Sequence, residues 1–207
     1  MGRMTRIVSW NLLRLKGAKP ADIARLVARE RPDLLLLQEA TDTIDALAGE
    51  IGGFYSRTPL PGRIHGLAAW SPTPLPPIRV LSLPSGPVVK RVCQILDFAD
   101  FSVANVHLSH GQVMNRRQLR HIQKHLPARA AVLGDYNLVG PAMLADFRDV
   151  GPRTPTHLCA DMWPLRLDRC YVRQMMCAET RALDWCASDH RAIAVRLHIA
   201  REFALAA

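Results

Sequence analysis

Residues 33–39 (DLLLLQE) form a short, unbroken apolar run that ends in an amide and a carboxylate. An apolar run of this length, without alternation, is typical of a strand that is buried on both faces. Residues 130–135 (AAVLGD) form a second run of the same kind, and this run also ends in a carboxylate. Two such strands indicate a layered α/β fold in which polar side chains gather where the strands end.

Further segments with the period of a strand or a helix surround these two runs. Ile23, Leu26 and Val27 recur at helical spacing, which predicts a helix over residues 19–31. The remaining predictions are strands at 6–11, 88–96, 101–108, 170–172 and 192–197, helices at 41–51 and 112–126, and antiparallel strands joined by surface loops in the proline-rich segment 59–87. Because no linker separates two cores, we expect one domain over residues 1–207.

The composition describes a basic protein with enough apolar residues for a sizeable core. The 207 residues carry a formal net charge of +9, which favours polyanionic partners such as nucleic acid or an anionic membrane surface. The five cysteines form no C-x-x-C pair, so we expect reduced thiols and not a disulfide framework or a zinc site. We expect neither a transmembrane segment nor a signal peptide, and we predict a cytoplasmic monomer.

Polar residues recur at the ends of the predicted strands. Asn11, Glu39, His107 and Asp135 each close an apolar strand-like run. Strand ends that project carboxylates, an amide and imidazoles into one crevice meet the needs of metal-assisted phosphoryl chemistry, because Mg²⁺ binds through oxygen ligands and keeps several waters. The sequence therefore predicts a Mg²⁺ or Mn²⁺ site at this edge.

Six short motifs occur in the order found in a known superfamily. They are Ser9-Trp10-Asn11, Leu37-Gln38-Glu39, Asn105-Val106-His107-Leu108, Gly134-Asp135-Tyr136-Asn137, Leu167-Asp168 and Ser188-Asp189-His190. Over residues 6–197 the chain thus resembles the endonuclease/exonuclease/phosphatase superfamily, the DNase I-like and exonuclease III-like enzymes. The resemblance implies a four-layer α/β sandwich, in which two mixed, mostly antiparallel β-sheets pack face to face with helices outside.

The resemblance also implies the metal ligands. Glu39 would be the principal ligand, Asn11 would act beside it as a ligand or a hydrogen-bond donor, and Asp189 would complete the shell or hydrogen-bond within the site. Leu13 stands where many nuclease members carry an aspartate. This departure argues against a second metal ion, but it does not decide whether the site holds one metal ion or two.

The same resemblance assigns the reacting groups. Asp135 would activate or position the attacking water, and Asn137 would hold the phosphoryl oxygens. His190, oriented by Asp168, would act as general base or charge stabiliser, and His107 would donate to a non-bridging oxygen or the leaving group. Whether Asp135 or His190 is the base stays open at this stage.

The substrate is less defined by the sequence than the reaction. Arg116 and Arg117 on the basic helix, and Trp163 and Arg166 in the loop before the last motifs, are candidate substrate-binding residues. The net charge of +9 favours nucleic acid, cleaved as a phosphodiester. A lipid headgroup, a small phosphorylated metabolite, or a catalytically inactive binding module are the alternatives, and the motifs that an inactive member would lose are intact.

Overall fold

The computed structural model describes residues 4–14, 16–86, 89–160 and 162–199. Two mixed sheets of six strands each face one another. In spatial order, sheet I contains β13 (Met175–Ala182), β14 (Ile193–Ile199), β1 (Thr5–Asn11), β2 (Leu34–Thr41), β4 (His65–Ser71) and β3 (Phe54–Pro59). Sheet II contains β5 (Ile78–Leu83), β6 (Arg91–Asp97), β7 (Ser102–His107), β8 (Ala130–Asp135), β12 (Asp168–Arg173) and β9 (Arg148–Asp149), and β10 (His157–Cys159) pairs with β11 (Trp163–Leu165).

Strand pairing explains the mixed character of both sheets. The pair β1–β2 and the pair β7–β8 are parallel, and the other pairs among the described strands are antiparallel. Parallel neighbours end at the same edge of a sheet, so Asn11 stands next to Gln38 in sheet I and His107 next to Asp135 in sheet II. This pairing brings four motif-bearing strand ends to one edge of the sandwich.

Three apolar layers hold the sandwich together, and strand alternation decides which residues enter each layer. Leu34 and Leu36 point into the layer between the sheets, whereas Leu35 and Leu37 point outward. The outward layer of sheet I is covered by α1 (Pro20–Glu30) and α2 (Leu47–Ile51), and that of sheet II by α3 (Gln112–His125). The expected four-layer α/β sandwich is therefore confirmed. No described helix is long and apolar enough to cross a membrane.

A buried polar row crosses the middle layer directly beneath the motif-bearing edge. The Gln38 amide donates to Asn105 Oδ1 at 2.8 Å and to Ser9 Oγ at 3.1 Å. The Asn105 amide in turn donates to Gln94 Oε1 at 3.1 Å, and Gln94 donates to Thr58 Oγ1 at 2.9 Å. Since buried amides are costly to leave unpaired, this row fixes the register of one sheet against the other.

The expected helix at residues 41–51 is only partly present. Thr41 still belongs to β2, and a 3-10 turn (Asp42–Ile44) separates it from the short helix α2. The edge strand β13 was not expected from the sequence, because its exposed polar residues do not show strand alternation. The expected strand at 88–96 begins in the structure at Arg91; residues 87 and 88 lie outside the described residues.

Candidate active site

The ends of the strands of both sheets surround one cleft of about 580 Å³. Seven of the eight residues predicted to bind metal or react line it, namely Asn11, Glu39, His107, Asp135, Asn137, Asp189 and His190. The eighth, Asp168, is fully buried behind His190 and hydrogen-bonds its ring. The structure thus brings all eight together, and their individual roles stay predictions.

Glu39 owes its position to an irregularity in β2. Pairing between β2 and β4 shifts register between Gln38 and Ala40, and Glu39 has a φ of 58° in the left-handed region. A bulge of this kind re-aims a side chain, here into the cleft, at a cost in backbone strain that is typical of functional positions. Burial is the main reason that the pKa of Glu39 is raised, although Arg14 opposes it.

Asp135 is surrounded by nitrogen donors. Its Oδ2 accepts a hydrogen bond from Asn11 Nδ2 at 2.9 Å and lies 3.5 Å from His107 Nε2 and 3.8 Å from His190 Nε2. Its Oδ1 accepts a bond from the backbone N–H of Asn137 at 2.8 Å. Burial alone would raise the pKa of Asp135, but the two histidines and the two hydrogen bonds outweigh burial and lower it. Asp135 is therefore ionised.

His107 is an uncharged donor within this group. Burial lowers its pKa to about 3, although Asp135 opposes that shift. Its Nε2 lies 3.5 Å from Asp135 and 4.0 Å from Glu39, so both carboxylates approach one nitrogen of a neutral ring. Because carboxylates accept hydrogen bonds, the neutral ring that suits this position carries its hydrogen on Nε2.

His190 and Asp168 form a buried pair on the other side of the cleft. The ring Nδ1 lies 2.8 Å from Asp168 Oδ2, and Thr156 Oγ1 accepts the backbone N–H of Asp168 at 2.9 Å. Burial lowers the pKa of His190, but Asp168 and two further carboxylates outweigh it and raise the pKa to about 10. His190 is therefore protonated near neutral pH when no metal is bound.

Sequence reasoning assigned no role to His157, which covers the exposed side of this pair. Its ring centroid lies 4.3 Å from that of His190, and its Nδ1 lies 3.9 Å from Asp189 Oδ2. The backbone of residues 156–158 pairs with the segment around Asp189, which fixes this contact. No sequence pattern marks His157, because its position depends on strand pairing across 33 residues.

The chemistry of the donor set fits a hard divalent cation. Glu39 Oε2 is buried and accepts no hydrogen bond from the described residues, and the nearest cation, Arg14 Nε, lies 3.6 Å away. The ionised Asp135 stands close by, and Asn11 and Asp189 add oxygen atoms to the same cleft. Two groups of three candidate ligands also occur, but both include His190, whose ring is already held by Asp168 Oδ2; they are Asp135, Asp168 and His190, and His157, Asp189 and His190. An oxygen-rich site centred on Glu39 suits Mg²⁺ or Mn²⁺.

Four basic groups on the Glu39 side of the cleft were not singled out from the sequence. They are Arg14, Arg63, His65 and Arg91, and all four line the cleft. Arg91 is the first residue of β6 and is only 9% exposed, whereas Arg63 lies on the surface. Arginines at a strand start or in a turn are ordinarily solvent-exposed, so composition and spacing gave no reason to select them.

The four residues predicted to bind substrate are not among the described residues that line the cleft. Arg116 and Arg117 are exposed on α3, and Trp163 is 67% exposed on β11. Arg166 donates from both terminal nitrogens to Asp149, each at 2.8 Å, and this pairing fixes the guanidinium within the protein. Substrate binding by these four residues stays a prediction.

Comparison with known proteins agrees with this architecture. The chain shares its fold with an endonuclease/exonuclease/phosphatase from Bacteroides vulgatus, with a TM-score of 0.79 and 14% identity over 96% of this chain and 100% of that one. It shares it also with D. rerio TDP2 complexed with a single-strand DNA product (TM-score 0.74, 16% identity, 94% and 99% covered). A third such structure is a mannosyl-6-phosphatase from Bacteroides thetaiotaomicron VPI-5482 (TM-score 0.75, 17% identity, 93% and 99% covered).

The sequence itself matches at the level of the family. Among curated proteins, none matches it significantly. The profile of the Endonuclease/Exonuclease/phosphatase family, however, matches residues 8–190, a range that includes the seven predicted site residues that line the cleft and Asp168 behind them. The chain therefore belongs to the endonuclease/exonuclease/phosphatase family.

Proposed function

We propose that the protein is a divalent-metal-dependent phosphoesterase that hydrolyses a phosphodiester of nucleic acid. One observation carries this proposal: a single cleft combines a buried carboxylate oxygen without a hydrogen-bond partner among the described residues, an ionised aspartate and a protonated histidine. Metal-assisted hydrolysis of a phosphate ester uses a Lewis-acidic cation, an oriented water molecule, and a hydrogen-bond donor that stabilises the negative charge developing on the phosphoryl oxygens.

The metal would be held by side-chain oxygen atoms that line the cleft, with Glu39 as the principal ligand. Glu39 and Asn11 are the proposed ligands, with Asp189 completing the shell or hydrogen-bonding within it. When bound, Mg²⁺ or Mn²⁺ supplies Lewis-acid stabilisation of the negative charge that develops on the phosphoryl oxygens.

The protein's own groups then divide the remaining work. Asp135 orients the attacking water by accepting a hydrogen bond from it, because the lowered pKa of Asp135 keeps the carboxylate ionised. His190 acts as a charge stabiliser and proton donor, because its Nδ1 lies 2.8 Å from Asp168 Oδ2 and this carboxylate raises the pKa of the ring. His107 donates a hydrogen bond from Nε2 to a non-bridging oxygen or the leaving group. The amide of Asn137 donates one hydrogen to Leu108 O, and its other hydrogen binds a phosphoryl oxygen.

Nucleic acid is the favoured substrate because of charge. The net charge of +9 and the three arginines of the cleft suit a polyanion. A small phosphorylated metabolite is the second candidate, supported by the fold shared with a mannosyl-6-phosphatase and by the exposed α3 arginines, which do not line the cleft. A lipid headgroup remains within the chemistry of the site but has no separate observation in its favour.

An activity panel at fixed Mg²⁺ tests the proposal. The substrates are single- and double-stranded DNA, RNA, sphingomyelin, bis-p-nitrophenyl phosphate and a sugar monophosphate. We expect hydrolysis of a nucleic acid that stops with EDTA and returns with Mg²⁺ or Mn²⁺. Turnover of the sugar monophosphate alone would establish the second candidate, and activity that persists in EDTA would contradict the metal-dependent mechanism.

A further inference from the structure

Arg91 is a buried cation whose hydrogen bonds are incomplete. Its side chain lines the cleft although the residue is only 9% exposed. Its Nε is fully buried and has no hydrogen-bond partner among the described residues. A buried guanidinium ordinarily pairs with a carboxylate or with carbonyl groups, because desolvation of an unpaired charge is costly.

Arg169 is a buried arginine with a structural role, and its Nε, like that of Arg91, has no hydrogen-bond partner among the described residues. It is 4% exposed, and its terminal nitrogen donates to the carbonyl groups of Leu138 at 2.9 Å and Gly140 at 2.6 Å. The two arginines differ at their terminal nitrogens: those of Arg91 make no such bond to a carbonyl group of the described residues, and Arg91 lines the cleft. The difference indicates that Arg91 is kept for a ligand and not for the fold.

Other basic groups crowd the same part of the cleft. Burial lowers the pKa of Arg91, and Arg14 and Arg63 lower it further by repulsion. Burial likewise lowers the pKa of His65, with Arg14, Arg91 and Arg63 contributing in the same direction. These groups are therefore close enough to repel one another. Glu39 and Asp135 partly offset this repulsion, but in the proposed mechanism these carboxylates serve the metal and the water.

We propose that Arg91, together with Arg14 and His65, forms a second anion subsite, which binds the non-scissile phosphate of a substrate that carries two neighbouring phosphates. The inference rests on the proposed function for the position of the scissile phosphate. A guanidinium offers several N–H donors in a planar fork and so binds phosphate oxygens at two points, which suits a tetrahedral dianion or a phosphodiester. The neutral His65 adds an uncharged donor from the wall of the cleft.

The second phosphate has two chemical sources. It is the adjacent phosphodiester or terminal phosphate of a nucleic-acid strand, or the second phosphate of a small bisphosphate. In both cases the substrate would place one phosphate between Glu39 and His190 and the other against Arg91. The subsite would then raise the affinity for doubly phosphorylated substrates over singly phosphorylated ones.

Metal-free binding of inorganic phosphate tests the subsite independently of catalysis. In EDTA, calorimetry should show phosphate binding to the wild type and about tenfold or more weaker binding to Arg91→Gln, as expected for loss of a charged hydrogen bond. Arg25→Gln, which removes the same charge from an exposed position on α1, should bind as the wild type does. Absence of binding in the wild type, or equal binding in all three proteins, would overturn the proposal whether or not the enzyme is active.

Thermal unfolding controls for damage to the fold. Because Arg91 contributes repulsion and an unsatisfied Nε, we expect the Tm of Arg91→Gln in EDTA to equal or exceed that of the wild type, and phosphate to raise it less. Arg14→Gln, at a side chain that is 52% exposed, repeats the binding test without a buried substitution. A fall in Tm for Arg91→Gln, with normal phosphate binding in Arg14→Gln, would assign Arg91 to the fold and overturn the proposal.

Paired substrates then identify the source of the second phosphate. In Mg²⁺, the rate for a thymidine dinucleotide with a 5′-phosphate is compared with that for the same dinucleotide without it, and fructose 1,6-bisphosphate is compared with fructose 6-phosphate. In one of the two pairs, we expect the preference for the doubly phosphorylated substrate to fall about tenfold in Arg91→Gln. That pair identifies whether the second phosphate belongs to a nucleic-acid strand or to a small bisphosphate. If neither preference depends on Arg91, the subsite does not act on substrate.

Discussion

The two sides of the cleft are built on different principles. On one side, His190 and Asp168 hold each other at 2.8 Å, Thr156 fixes the backbone of Asp168, and His157 covers the ring. On the other side, Glu39 Oε2 and Arg91 Nε are buried without a hydrogen-bond partner among the described residues. Asp168 Oδ1 and His157 Nδ1 on the first side also lack a hydrogen-bond partner among the described residues, but His190 is already paired with a carboxylate there. On the second side, we expect the buried charges to be paired by ligands.

This difference separates two tasks of a phosphoesterase. A group that transfers a proton or stabilises charge works best when it is already oriented, because reorganisation then costs nothing during the reaction. A group that binds a cation or a phosphate must keep its charge and its hydrogen-bonding atoms unpaired until that ligand binds. The protein therefore orients His190 through its own contacts, whereas it leaves buried charges around Glu39 to be paired by ligands. Substitutions on the two sides should differ in their effects on turnover and on the pH dependence of stability.

The largest effect is expected on the Glu39 side. Glu39→Gln keeps the shape but removes the charge that the metal needs, so turnover in Mg²⁺ should fall by about a thousandfold, equivalent to several kcal/mol of transition-state stabilisation. Initial rates and a Mg²⁺ titration measure the loss, and stability in EDTA should not fall because the raised pKa of Glu39 reflects costly burial. Glu50→Gln, at an exposed position on α2, is the matched control. Wild-type turnover in Glu39→Gln would contradict the proposal that Glu39 is the principal metal ligand.

A smaller effect on rate, but a clear one on pH dependence, is expected on the His190 side. Asp168→Asn should lower turnover by about a hundredfold, the upper range for loss of a group that orients a reacting side chain. In EDTA the folded-state pKa of His190, about 10, lies above the ordinary value of 6.5. The resulting stabilisation is therefore fully present below about pH 6.5 and is lost as the pH rises through about 10.

Chemical denaturation across pH 6 to 10 in EDTA measures that loss of stability. The wild type should lose free energy of unfolding as the pH rises, and Asp168→Asn should lose less, because the first cause of the raised pKa is gone. Asp184→Asn, an exposed substitution in the same part of the chain, should behave as the wild type does. Identical slopes for wild type and Asp168→Asn would show that the pair is not the source of the raised pKa of His190.

The smallest effect on chemistry is expected outside the cleft, on α3. If Arg116 and Arg117 follow a nucleic-acid backbone, reversing both charges should flatten the log–log salt dependence of binding by about 0.7–0.9 per lost phosphate contact. Hydrolysis of bis-p-nitrophenyl phosphate should stay unchanged, because neither residue lines the cleft. Charge reversal of Arg25 and Arg29 on α1 makes the same change in net charge on the opposite layer. Equal slopes in both double variants would remove α3 from the substrate-binding surface.

Sequence patterns predicted the parts of this molecule that depend on local order. The apolar run at 130–135 is β8 to the residue, and helix α1 (Pro20–Glu30) lies within one residue of each predicted end. The strand-end polar residues were also identified, because the end of a buried strand is visible as a change from apolar to polar residues. These features need no knowledge of distant partners.

What the sequence did not reveal depends on contacts between distant segments. Arg91 begins a strand and looks exposed, yet pairing with β5 and β7 places it in the cleft. Arg166 looks like a free loop cation, yet Asp149, 17 residues away, holds it. His157 acquires its neighbour His190 only through an isolated bridge between the two segments. In each case, burial and charge partners are set by tertiary pairing and not by neighbouring residues.

The division of the cleft between both sheets also has a consequence for biosynthesis. Asn11 closes β1, but Trp10 beside it hydrogen-bonds the backbone of His190, 180 residues later, and β1 finds its second neighbour only when β14 arrives. A nascent chain emerging from the ribosome thus carries Asn11, Glu39, His107 and Asp135 long before it can assemble them with His190. Under the proposed function, hydrolysis therefore has to wait until the segment around His190 has been translated and has paired with β1.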